Sequence, residues 1–143
     1  MSTLKFDESN VRWYTLEGIP DAWYHILDVD ETNRVVDILF KFAANARVVL
    51  HRHAAPYRTF IIQGELRLYD KNGDLTEIRR AGSYVSKPAG GPPHREGGGD
   101  QDVIALFSNR EVTGAVYEIL DDDLNIVATL GLDEFKELKA QQE

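Results

Sequence analysis

Cysteine is absent from the 143 residues. This excludes disulfides, iron–sulfur clusters, thiolate zinc sites and a cysteine nucleophile together, and it fits a reducing compartment. Long hydrophobic runs are also missing. The longest unbroken apolar stretch is Val103 to Phe107, far short of the roughly 20 residues that span a bilayer. Met1 to Asn10 has no apolar signal-peptide core. The expected address is cytoplasmic, with no membrane partner. A basic excess is lacking as well. Twenty-four acidic against 16 basic side chains leave a net charge of −8, the wrong sign for tracking nucleic-acid phosphates, so no nucleic-acid partner is expected.

The remaining composition is that of one ordinary globular domain over residues 1–143, able to bury roughly 68% of its unfolded surface. Charge is unevenly spread. Lys41 to Arg95 carries ten basic and four acidic side chains, whereas Glu118 to Glu143 carries eight acidic and two basic. The positive middle segment is a candidate to hold an anionic ligand.

Short β-rich stretches alternate with turn signals. Strands are expected at Ala22–Asp28, Arg34–Phe42, Arg47–His53, Thr59–Ile62, Glu65–Tyr69 and Leu75–Arg79, then at Ser83–Lys87, Val103–Phe107, Ala115–Leu120 and Asn125–Leu130. Asn72-Gly73 supplies a hairpin turn, since both residues tolerate positive φ. Gln63-Gly64 bends one strand into the next. Ala89 to Gly99, with five glycines and two prolines, reads as a loop. Many short strands imply an all-β sandwich or barrel, with a core over about residues 22–130. Only residues 133–141 look helical, with Asp133 as N-cap and Phe135 and Leu138 as the apolar stripe.

Four histidines are present: His25, His51, His53 and His94. His51-Arg52-His53 stands at the end of an expected strand. Alternation sends both imidazoles to one face and Arg52 to the other, about 7 Å apart along the strand, where they can converge on one metal. His25 lies far upstream and reads as a surface or core histidine.

Gly64 follows His53 by eleven residues, and Gly82-Ser83-Tyr84-Val85-Ser86-Lys87-Pro88-Ala89-Gly90 precedes His94. This pair of motifs resembles the two-motif signature of the cupin superfamily over residues 35 to 130. The resemblance implies a single-domain jelly-roll β-barrel and one divalent metal held by His51, His53 and His94. The usual cupin glutamate is missing from its slot, which falls on Arg58 counted from His53 and on Tyr57 counted back from Gly64. Three neutral imidazoles would leave the full 2+ charge on the ion and favour an anionic, chelating substrate such as an enolate. Arg58 is the first candidate to fix that anion, and Tyr57 is the other candidate catalytic residue, as the alternative occupant of the slot. Tyr57, Phe60, Tyr84 and Phe107 are candidates to line the pocket, and Arg95 to swing in with its glycine-rich loop. Glu96 is expected not to be a ligand.

More narrowly, these motifs, with Leu106 to Asn109 and Val112 to Tyr117, resemble the small dioxygenases that cleave 2,4'-dihydroxyacetophenone and acetylacetone. That resemblance implies Fe(II), O₂ and an enolisable ketone substrate. Imidazole ligands by themselves accept Fe²⁺, Zn²⁺, Ni²⁺ or Cu²⁺ alike. It also implies a homodimer, as cupins of this size commonly pair through barrel strands. The same branch includes zinc-binding anti-sigma-factor domains. These keep a glutamate ligand and carry an N-terminal helical domain, and on this reading the chain has neither. Two alternatives stand beside the dioxygenase: a sensing cupin without enzymatic activity, and an isomerase or lyase that uses no O₂.

Overall fold

The computed structural model describes residues 6–142. Residues 1–5 and 143 of the expected domain, and the first half of the stretch inspected for a signal core, lie outside the described residues. Eleven strands follow one another: β1 Ala22–Asp30, β2 Val35–Phe42, β3 His51–His53, β4 Tyr57–Gln63, β5 Glu65–Tyr69, β6 Leu75–Arg80, β7 Tyr84–Lys87, β8 Arg95–Gly98, β9 Val103–Asn109, β10 Ala115–Leu120 and β11 Ile126–Gly131. The helix α1, Leu132–Ala140, closes the chain.

All strand pairings are antiparallel. One wall is a five-stranded sheet ordered β1-β2-β9-β4-β7. The other is built from two three-stranded sheets, β11-β10-β3 and β6-β5-β8. A single bridge joins these two: His51 and His94 exchange both backbone N–H···O bonds at 3.0 Å. The second wall therefore runs β11-β10-β3-β8-β5-β6, with β3 and β8 in its middle.

Alternation decides which side chains enter the barrel. On β4, Tyr57, Thr59 and Ile61 are buried while Arg58 and Phe60 are exposed. β9 is covered on both faces and is apolar almost throughout. One core cluster gathers Ile26, Val36, Ile38, Val116 and Phe135 under the helix; the other joins Phe42, Ile61, Leu66, Leu68, Val103 and Phe107.

The expected turns are present. Gly73, at φ +88°, closes the β5–β6 hairpin, and Gly64, at φ +74°, bends β4 into β5. A Cβ on Gly64 would stand 2.9 Å from the Asp102 carbonyl oxygen, so the site excludes any other residue. Two expectations are corrected. The helix is capped not by Asp133 but at Gly131, whose N–H donates to Glu134 Oε1 at 2.7 Å. The glycine-rich segment is not a loop throughout, because its second half is β8. At one end of the molecule the Gln142 side chain brackets β1, accepting from Ile26 N at 2.7 Å and donating to Ile26 O at 3.0 Å. Among the described residues no helix is long and apolar enough to cross a membrane.

Candidate metal centre

β3 and β8 lie side by side, and each sends residues i and i+2 into the barrel. From β3 come His51 and His53. From the bridge position and the start of β8 come His94 and Glu96. One ligand atom from each of the four falls within a 4.8 Å sphere of the others. The carboxylate is the hub. Glu96 Oε1 lies 2.9 Å from His51 Nε2, 2.8 Å from His94 Nε2 and 3.6 Å from His53 Nε2, and the Nε2 atoms of His53 and His94 are 3.3 Å apart. Adjacent ligands held about 2.1 Å from a common ion at right angles would stand about 3.0 Å apart, so these separations suit one divalent ion.

Glu96 corrects the expected three-histidine set. Contrary to expectation it is placed to ligate: it stands two residues after His94, as His53 stands two after His51. On adjacent strands, two i, i+2 pairs place four donors on one face. The glycines and prolines of Ala89 to Gly99 suggest a loop, and Gly97, Gly98 and Gly99 are among them. Those glycines instead permit close packing. A Cβ on Gly97 would sit 1.7 Å from Ala46 O, and one on Gly98 2.6 Å from Gln101 O. Hydrogen bonds from Val48 N to Glu96 O and from Gly98 N to Ala43 O fix β8 against the chain that leads into β3.

The electrostatics fit a metal. His51 Nδ1 lies 2.9 Å from the Val49 carbonyl, which assigns the proton to Nδ1 and leaves Nε2 as the ligating atom. Without an ion, Nε2 must also carry a proton to bond Glu96. Burial opposes this, but the Glu96 hydrogen bond and charge outweigh it and hold His51 above its ordinary pKa. His53 goes the other way, lowered to about 4 by burial, with the Glu96 hydrogen bond only partly offsetting this. Burial likewise opposes ionisation of Glu96, but the three imidazoles prevail and keep it well below the usual carboxylate range. His53 Nδ1 and Glu96 Oε2 are buried without partners. Three imidazoles and one carboxylate are a donor set for zinc or a first-row transition metal.

The other expected site residues divide sharply. Tyr57 is 5% exposed and stacks on the His53 ring, centroids 3.6 Å apart. Burial pushes its phenol up to about 12 although Arg79 beside it pulls down. It is therefore a neutral wall of the site. Arg58 is corrected: it is exposed on the outer face of β4, opposite Ser86 and Ser108. The face changes because counting forward from His53 and back from Gly64 differ by one residue, and one residue on a strand is the whole thickness of the sheet. Phe60 and Tyr84 also face outward, and Arg95 pairs with Asp122 at 3.1 Å. His25 bonds the Arg12 carbonyl, away from the cluster.

The inward cation is Arg79 on β6, 4% exposed, bonded to Glu77 and at 3.1 Å to Thr59 Oγ1. Sequence reasoning did not single it out. Its only signal is the Glu77-x-Arg79 alternation on a strand whose other residues are mostly exposed. Arg79, Glu77 and Lys87 line a cavity of about 420 Å³ that reaches His53, Tyr57 and His94. A separate apolar cavity of about 60 Å³ touches His51 and Glu96 from the other side, among Phe40, Val49, Phe107 and Tyr117.

Comparison with known proteins agrees with this architecture. A search of curated proteins gives no match. Among solved structures, an RmlC-like cupin protein from Ralstonia eutropha superposes with a TM-score of 0.75 at 20% identity, over 99% of this chain and 87% of that one. An acetylacetone dioxygenase from Acinetobacter johnsonii gives 0.70 at 14%, over 100% and 93%. A DMSP lyase from Ruegeria pomeroyi gives 0.59 at 18%, over 76% and 60%. These likenesses establish the fold expected from the paired motifs, a small all-β cupin barrel with a short C-terminal helix. The family model described as ChrR Cupin-like domain matches residues 2–113. That span contains all four converging side chains, and the chain belongs to the ChrR Cupin-like domain family.

Proposed function

We propose that this protein is a metal-dependent dioxygenase that cleaves a carbon–carbon bond of a β-diketone or hydroxyketone at an Fe(II) centre held by His51, His53, His94 and Glu96. The observation that carries the reading is the placement of this cluster at the wall of a polar cavity large enough for a small organic molecule. The structural likeness to an acetylacetone dioxygenase supports it. Iron in this site would supply Lewis acidity toward an enolate and the electrons that activate dioxygen.

The chain's own residues prepare the substrate. The anionic contact expected of Arg58 passes to Arg79, whose guanidinium is fixed by Glu77 and Thr59 and borders the cavity. Lys87 adds a second cation at that wall. Tyr57, neutral and packed on His53, offers a hydroxyl and a flat apolar face. Glu96 lowers the charge of the loaded centre relative to three imidazoles, so the attraction for an anion comes from Arg79 and Lys87 as much as from the ion. Phe60 and Tyr84, directly opposed across β4 and β7 and both exposed, support pairing with a second copy through barrel strands.

The test is metal analysis of protein purified without added metal, followed by oxygen-electrode assays of iron-loaded protein over a panel of β-diketones and hydroxyketones. Dioxygen uptake matched one-to-one by carbon–carbon cleavage is expected. Substrate binding without uptake would overturn the reading. It would favour a sensing cupin, which the carboxylate ligand and the family match make the second reading, or an O₂-independent lyase.

A further inference from the structure

We propose that the apolar cavity is a gas chamber, a second way to the metal centre used by dioxygen and closed to the organic substrate. The identity of the gas rests on the dioxygenase reading; the existence of the chamber does not. Three observations carry it.

The two cavities have no lining residue in common, and they divide the cluster between them. His53 and His94 border the polar cavity, while His51 and Glu96 border the apolar one. A molecule in either space therefore meets a different side of the same centre.

The apolar cavity suits a small non-polar guest. At about 60 Å³, against about 420 Å³ for the polar cavity, it is the less suited of the two to a diketone. A trapped water needs two to four polar partners, and this lining offers one unpartnered polar atom among its buried side chains, Glu96 Oε2. His51 Nδ1 is taken by Val49 O, and its Nε2 by Glu96 Oε1. The rest of the enclosure is built mainly from Phe40, Phe42, Val48, Val49, Phe107 and Ile119. Cavities with linings this largely apolar accept xenon or similar guests.

The chamber also has a thin outer wall. Leu16, Ile19, Ala22 and Trp23 line both it and a shallow surface groove that continues over Thr15, Gly18, Pro20 and Asp21. All four are only partly buried. Small movements of these side chains would connect groove and chamber. Such a route lets an organic molecule occupy the polar cavity without blocking the gas.

Crystals pressurised with xenon test the chamber directly. Xenon is expected between Phe40, Val49 and Phe107, and absent from the polar cavity. Val49→Phe should abolish that site at unchanged metal content. If Val49→Phe fails to fold, Ala22→Phe at the outer wall serves instead. It should slow nitric oxide association with the iron-loaded protein about tenfold and leave the dissociation constant of acetylacetone unchanged. Xenon only in the polar cavity, or nowhere, overturns the chamber; so does an unchanged nitric oxide rate in Ala22→Phe. Xenon in the chamber without dioxygen uptake on any ketone overturns the dioxygenase reading and, with it, the assignment of dioxygen as the guest. Dioxygen uptake without xenon in the chamber overturns the chamber alone.

Discussion

His51 and Glu96 face hydrocarbon, whereas His53 and His94, each two residues away along the chain, face a cavity with two cations and two carboxylates in its lining. Nothing in the residue types explains the difference, since each side receives one ligand from β3 and one from the β8 side. It arises from what the barrel packs against each pair: β2 and the segment before β1 on one side, the β5–β6 hairpin and the proline-rich turn before His94 on the other. The contrast teaches that one set of ligands can be exposed to two solvents, and the centre can be probed from each side separately.

Glu96 belongs to the apolar side and links the other three ligands, so its loss should have the largest effect. Glu96→Gln should weaken metal binding by about 100-fold or more, on the order of 3 kcal/mol, measured by chelator competition. Wild-type affinity in that variant would restore the three-histidine centre.

His53 provides a pH readout of its burial. Its folded pKa, about 4, lies below the ordinary value of 6.5. Between these values the unfolded state binds a proton that the folded state does not, so stability of the metal-free protein must fall as pH drops from 6.5 to 4. The loss should approach 3 kcal/mol at about 1.36 kcal/mol per unit. His51, raised instead, is protonated in both states in this window and contributes only above it; the depressed Glu96 begins to act at the lower end of the window, near its ordinary 4.5, and continues below it. Urea denaturation from pH 4 to 7 should show the slope, and His53→Gln should flatten it.

Arg79→Met tests the polar side. It should raise the KM for an anionic or enolisable ketone about tenfold, the size of a charge-assisted hydrogen bond of roughly 1.5 kcal/mol, with a smaller effect on kcat. An unchanged KM would remove Arg79 from substrate binding.

Arg58→Ala should do least. The side chain is outside the barrel, so metal content and KM should hold and stability should shift by no more than about 0.5 kcal/mol. A raised KM would place a substrate contact on the outer face and break the division into two sides.

Much of the barrel was legible because its signals are local. Asn72-Gly73 and Gly64 need positive φ, and His51-x-His53 declares a common face. The unread parts depended on tertiary contacts. Glycines signal freedom in a sequence, but at Gly97 and Gly98 a missing Cβ means that another backbone occupies the space. With β8 taken as a loop, the i, i+2 relation of His94 and Glu96 lost its meaning and the fourth ligand was overlooked. Arg58 and Tyr57 failed to separate because the slot was counted from two ends without a pinned register. Thr59 and Ile61, both buried on β4, supply that pin, but only once the sheet is known.

The grip of Gln142 on Ile26 has a consequence for how the protein survives in crowded solution. β1 is the last strand of its sheet, and its outer edge would otherwise present free N–H and C=O groups to any passing strand. Gln142 occupies one such pair, and Tyr14 occupies another through its bridge to Tyr24. The side-chain amide thus stands in for a peptide group of a neighbouring chain. Trimming the final turn would leave the metal ligands and both cavities intact and still unmask a template for edge-to-edge aggregation.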